Sequence, residues 1–126
     1  MSLATPLKKV RGLGSAKSGT EHFWQQRLTA LLNLPLLVFF VLFILCHLGA
    51  TATEVKSSLQ NPLLAITLVL TLASVFWHMR LGMQVIIEDY VHGHAAKLIC
   101  IVLNTVFTLT MFAIATFSIL KMSFAI

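Results

Sequence analysis

Read as a string of apolar and polar positions, the chain falls into three long apolar runs separated by short polar ones. From Leu28 to Ala50 it runs 23 residues without a charge, enough at about 1.5 Å per residue to cross a hydrocarbon core of about 30 Å. The second run extends from Pro62 to about Ile87 and carries His78, Arg80 and Gln84 in its later half. The third, Leu98 to Leu120, is uncharged, with Asn104, Thr105, Thr108 and Thr110 as its main polar content, and Lys121 closes it. A polar connection holding Glu54, Lys56, Ser57, Ser58, Gln60 and Asn61 separates the first two runs and ends at Pro62, a residue suited to a first helical turn. Glu88, Asp89, His92, Gly93, His94 and Lys97 break the pattern before the third.

This pattern predicts an all-α membrane protein with three transmembrane helices over about 28–50, 62–87 and 98–120. Residues 28–126 are read as a single three-helix transmembrane domain and residues 1–27 as a basic arm. Gly12, Gly14 and Gly19, interleaved with Ser15 and Ser18, argue against a stable helix in that arm. Ala50-Thr51-Ala52 mimics a signal-peptidase site, but the apolar stretch before it exceeds the roughly 7–15 residues of a signal h-region, so an uncleaved anchor is expected.

Composition agrees with a bilayer as solvent. Of 126 residues, 58 % are hydrophobic and 10 % charged, whereas soluble domains carry about 25 % charged residues. The net charge is +5, and five of the nine basic residues (Lys8, Lys9, Arg11, Lys17, Arg27) lie in the arm. A nucleic-acid binder would spread its charge over a folded face, so no nucleic-acid partner is expected and the arm reads as a topology signal. With the N-terminus cytoplasmic, inner segments hold six Lys/Arg, the arm's five plus Lys97, and outer segments hold Lys56 and Lys121. The positive-inside rule therefore predicts a cytoplasmic N-terminus and a periplasmic C-terminus. Cys46 and Cys100 sit in apolar runs without CxxC spacing and are expected to be buried, inert thiols.

Ionisable groups at membrane depth are expensive to keep, which makes them functional candidates. His78 lies about ten residues, or roughly 15 Å, from the Glu88 end of its helix, near the bilayer middle. A neutral imidazole there either ligates a metal or satisfies itself on a neighbouring helix. His47 differs from it in depth by about 10 Å and is a poor partner for a shared haem, so a second ligand would have to come from another subunit. His47 is expected at the opposite headgroup layer. Eleven residues at 100° each put Asp89 on the same helical stripe as His78, with Gly82 and Val85 between them. Gly82 permits close approach of a planar cofactor or of another helix. Tyr90 is either an interfacial anchor or, beside Asp89, a phenolic donor for a ring carbonyl of a hydrophobic electron carrier. Arg80 points 200° away from His78 and needs a buried anion, such as a haem propionate or a carboxylate, or a polar group on another helix. Arg27 is expected level with Asp89 and Tyr90, as a headgroup anchor or as part of their site. His22, His92 and His94 have no regular ligand spacing and are assigned no metal.

Ser74-Val75-Phe76-Trp77-His78-Met79-Arg80-Leu81-Gly82-Met83-Gln84-Val85-Ile86-Ile87-Glu88-Asp89-Tyr90-Val91-His92-Gly93 resembles the second-helix signature of the small hydrophobic anchors of succinate dehydrogenase, respiratory Complex II. The stretch from Gly14 to Ala30, with Glu21-His22-Phe23-Trp24-Gln25-Gln26-Arg27 at its centre, looks like the arm before the first helix in bacterial members. The resemblance implies a multi-pass subunit of the bacterial inner membrane serving electron transport in the tricarboxylic acid cycle. It implies that His78 is an axial ligand of haem b, and so of its iron, shared with a cytochrome b556 anchor subunit. It further implies that Tyr90 hydrogen-bonds ubiquinone, that Asp89 supports that site, and that Arg27 lies near the haem propionates and quinone pocket. Arg80 stands at a position that varies among relatives. Succinate oxidation at FAD would belong to a flavoprotein subunit and electron delivery to an iron–sulfur subunit. The chain itself has no dinucleotide fingerprint, no cluster-binding cysteines and no nucleophile–base pair, so it is expected to be a non-catalytic subunit. A fumarate reductase-type anchor shares this architecture, and a haem-free scaffold or a small transporter are readings from other classes.

Overall fold

The computed structural model describes residues 5–10 and 20–124. In chain order the helices are α1 (Pro6–Val10), α2 (Glu21–Cys46), α3 (Ala52–Leu59), α4 (Pro62–Tyr90) and α5 (His94–Ser123), and no strand occurs among the described residues. The three apolar runs become α2, α4 and α5, of 26, 29 and 30 residues, each long and apolar enough to cross a membrane.

Helix boundaries differ from the apolar boundaries for local reasons. The glycines on which the expectation of a helix-free arm rests lie outside the described residues; within the expected arm Pro6–Val10 is helical, and α2 begins at Glu21. At the second start the Trp24 N–H donates to the Thr20 carbonyl at 3.0 Å, and Glu21 puts a negative charge in the first turn, where the helix dipole favours it. α4 runs past Ile87 to Tyr90 and α5 begins at His94, so most of the polar cluster between the last two spans is helical. Only Val91–Gly93 connect them, and the Lys97 ammonium on α5 donates to the Glu88 carbonyl at 2.8 Å, satisfying an acceptor that the end of α4 leaves open.

The connection between α2 and α4 contains a helix that its polar composition hides. Gly49 takes a left-handed backbone, φ 80°, which a side chain would strain, and the chain re-enters helix at Thr51. There the Thr51 hydroxyl accepts from the Glu54 N–H at 3.4 Å while the Glu54 carboxylate accepts from the Thr51 N–H at 2.6 Å, a reciprocal capping box. Asn61 then caps α4 by accepting from the Leu63 N–H at 3.0 Å, with Pro62 in the first turn.

α4 is the middle helix: it packs against α2 on one side and α5 on the other, and α2 and α5 do not approach each other among the described residues. The buried apolar residues are Ala65, Leu68, Leu81 and Ile87 on α4, plus Leu59 of α3. Large apolar side chains such as Leu34, Leu63 and Phe117 are instead exposed on the outside, at 66 %, 73 % and 68 %. That inversion of a soluble core suits lipid, where every backbone group must be satisfied inside its own helix. Cys46 is exposed at the end of α2, contrary to the expectation of a buried thiol, because it falls on an outward face; Cys100 is half-buried.

Candidate functional site

The seam between α2 and α4 is polar over its half nearest the α2 N-terminus. Gln26, Thr29 and Asn33 recur at helical spacing and are the least exposed residues in that part of α2. They meet α4 in antiparallel register. The Thr29 hydroxyl lies 2.9 Å from His78 Nδ1. One turn away, Gln26 Nε2 lies 3.4 Å from where a Cβ on Gly82 would stand. Gly82 thus admits another helix closely, one of the two uses its missing side chain suggests. Thr29 Oγ1 also contacts the carbonyl oxygens of Gln25 at 2.7 Å and Gln26 at 3.2 Å. His78 Nε2 has no hydrogen-bond partner among the described residues. Buried oxygens without partners cluster along the same seam, at Gln26 Oε1, Asn33 Oδ1 and Ser74 Oγ. A lateral groove lined by Thr29, Leu32, Pro35, Ala73, Ser74 and Trp77 opens between the two helices beside them.

Arg80 serves the opposite side of α4. Its Nε donates to Thr105 Oγ1 at 3.3 Å, its guanidinium sits 5.1 Å from the centre of the Trp77 ring, and the Asn104 amide of α5 donates to its carbonyl at 3.0 Å. Thr105 donates its own proton to the Ile101 carbonyl at 2.9 Å, so its lone pair faces the guanidinium. The polar group on another helix that Arg80 requires is therefore supplied by α5, together with an aromatic face.

Asp89 and Tyr90 close α4 and are both exposed, Tyr90 at 78 %. Gln84 donates to the Glu88 carboxylate at 2.8 Å beside them. Arg27 is exposed with its guanidinium 5.2 Å from the Phe23 ring centre. The register set by Gln26 against Gly82 places Arg27 about eight residues, or about 12 Å, from the level of Asp89. The expectation of a common level fails because α2 begins at Glu21, so that its first turns, not Arg27, face the end of α4.

His47 follows α2 directly. Its Nδ1 contacts the Phe43 carbonyl and its Nε2 the Ser58 hydroxyl, each at 2.8 Å, with the ring 4.3 Å from that of Phe43. Nδ1 is tied back into α2 and Nε2 reaches α3, so both nitrogens are occupied, at the end of the bundle away from Asp89. His22, His92 and His94 are exposed. The partners Thr29, Ser58 and Thr105 escape a reading of the sequence, although the polar stripe Gln26, Thr29, Asn33 on an otherwise apolar helix marks the face that α4 covers.

Residues 1–116 match the family described as succinate dehydrogenase/fumarate reductase transmembrane subunit. The chain belongs to that family. It is 33 % identical to the succinate dehydrogenase membrane anchor subunit of Reclinomonas americana over 69 % of this chain and 75 % of that one. It is 30 % identical to the hydrophobic membrane anchor subunit of succinate dehydrogenase from Rickettsia bellii over 86 % of this chain and 90 % of the relative. The corresponding anchor of Paracoccus denitrificans is 26 % identical over 97 % and 94 % of the two chains. No solved structure matches significantly. The resemblance carried by the His78 to Tyr90 segment is thus borne out, and the chain is a multi-pass membrane anchor of this family.

Proposed function

We propose that this chain is the small anchor subunit of a bacterial inner-membrane succinate:ubiquinone oxidoreductase, in which His78 is one axial ligand of haem b. The observation that carries the reading is the state of His78: a mid-span imidazole held on Thr29 through Nδ1, with Nε2 unengaged by any described residue. This fits a ligand whose iron-facing nitrogen is free and whose ring is held from behind. His47 has both nitrogens in use, so a second ligand would come from another subunit, which the family resemblance makes a companion cytochrome b556 anchor. When bound, haem b supplies one-electron storage at membrane depth.

The chain's own residues then divide as follows. Tyr90 donates a hydrogen bond to a ubiquinone carbonyl and Asp89 orients it or relays a proton. Their exposure leaves room for an iron–sulfur subunit to complete that site, while FAD and succinate oxidation belong to a flavoprotein subunit. Arg27, nearer by register to His78 than to Asp89, suits a haem propionate better than the quinone pocket. Arg80 is already engaged by Thr105 and the Trp77 ring, partners with which a propionate would compete. The distribution of Lys and Arg supports a cytoplasmic N-terminus and puts Asp89 and Tyr90 on the cytoplasmic side.

The 2.9 Å contact with Thr29 also suits a haem-free scaffold in which His78 merely joins two helices. His78→Ala in the purified complex separates the two. Loss of the b-type haem spectrum is expected, and an unchanged haem content defeats the ligand role.

A further inference from the structure

We propose that Thr29 is a positioning residue for His78, fixing both the plane of its ring and the nitrogen that carries the hydrogen; this rests on the haem-ligand reading of His78. Thr29 Oγ1 has three polar neighbours: the Gln25 carbonyl at 2.7 Å, the Gln26 carbonyl at 3.2 Å and His78 Nδ1 at 2.9 Å. Two of these are carbonyl oxygens, which only accept. The hydroxyl has a single hydrogen, and a 2.7 Å oxygen–oxygen contact requires it to lie there. A hydroxyl committed to its own helix's carbonyl can only accept from the ring, so Nδ1 carries the imidazole hydrogen and the Nε2 lone pair is left for a metal. Helix α2 therefore selects the tautomer of a residue on α4.

The seam also explains why the contact holds its geometry. Thr29 is oriented by back-bonding into its own helix, and one turn away the Gln26 side chain lies over the open side of Gly82. A hydroxyl acceptor on Nδ1–H adds electron density to the ring and strengthens its donation to a metal, though less than a carboxylate would. Its removal frees the ring to rotate and weakens the donor.

Thr29→Val keeps the shape of the side chain and deletes the acceptor; Thr29→Ser keeps the hydroxyl. In the purified holo complex, Thr29→Val is expected to weaken haem retention by about 10–100-fold. The haem that remains should show a more positive midpoint potential and altered g-values in its ferric electron paramagnetic resonance spectrum. Thr29→Ser should restore all three. A native potential and native g-values in Thr29→Val overturn the proposal, as does a serine variant that behaves like the valine one. If the valine variant does not assemble, Thr29→Ala removes the acceptor without steric demand and takes the same measurements. Haem lost in His78→Ala but native in Thr29→Val refutes only the role of Thr29, whereas haem retained in His78→Ala refutes the reading beneath it.

Discussion

Gln26 of α2 sits against Gly82 of α4, its side-chain nitrogen 3.4 Å from where a Cβ would begin. Glycine at this point leaves room for the Gln26 side chain, and one turn away Thr29 meets His78. Alanine adds one carbon at ordinary contact distance and gains helix propensity of about 0.8–1.0 kcal/mol. Gly82→Ala should therefore assemble with near-native thermal stability. Leucine must displace the Gln26 side chain and overfill the seam, a mismatch of about 1–3 kcal/mol. Thermal unfolding of the detergent-solubilised complex checks both; a Gly82→Leu complex as stable as the parent would show that the seam has room for a large side chain there.

Much of the bundle is legible in the sequence, because an apolar run long enough to cross a bilayer marks the helix that crosses it, though not where that helix begins or ends. The shared stripe of His78 and Asp89 follows from helical periodicity in the same way. What periodicity does not carry is the rotation and axial register of one helix against the next. Arg27 and Asp89 look level when each helix is started at the edge of its apolar run, and they separate once α2 begins at Glu21. Likewise Arg80 demands a polar partner from sequence, but only packing assigns that role to Thr105. α3 is a different case: its Thr51-x-x-Glu54 box is plain in the sequence, but its apolar face is only Ala52, Val55 and Leu59, too short a period to stand out among polar residues.

That box makes the connection sensitive to acid. Backbone and then side-chain hydrogen bonds from Thr51 hold the Glu54 carboxyl below the ordinary carboxylate value, outweighing the opposing effect of desolvation, with His47 adding the smallest lowering influence. A depressed folded-state value means that the carboxylate supports the cap above the unfolded pKa, about 4.3, and that the support disappears as pH falls through the folded value. Amide hydrogen exchange at Glu54 and Val55, corrected for intrinsic rates, should show protection constant near neutrality and lost progressively below about pH 4. Glu54→Gln should abolish this pH dependence. Protection that falls already between pH 7 and 6 would point to another group.

Tyr90 offers the sharpest functional test, because it is 78 % exposed at the last residue of α4 and no described residue pairs with its hydroxyl. Tyr90→Phe should leave assembly, thermal stability and haem content unchanged, since nothing inside the chain depends on the phenol oxygen. If that oxygen donates to a ubiquinone carbonyl, its loss removes one hydrogen bond of about 1.4 kcal/mol, or about tenfold in rate where the bond tightens as the carbonyl gains charge. Succinate-to-ubiquinone electron transfer should slow on that order while succinate oxidation by a soluble artificial acceptor is retained, because that acceptor bypasses the membrane end of the relay. Equal loss of both activities would place the defect in assembly with the peripheral subunits, and full retention of both would leave Tyr90 as an interfacial anchor with no part in the quinone site.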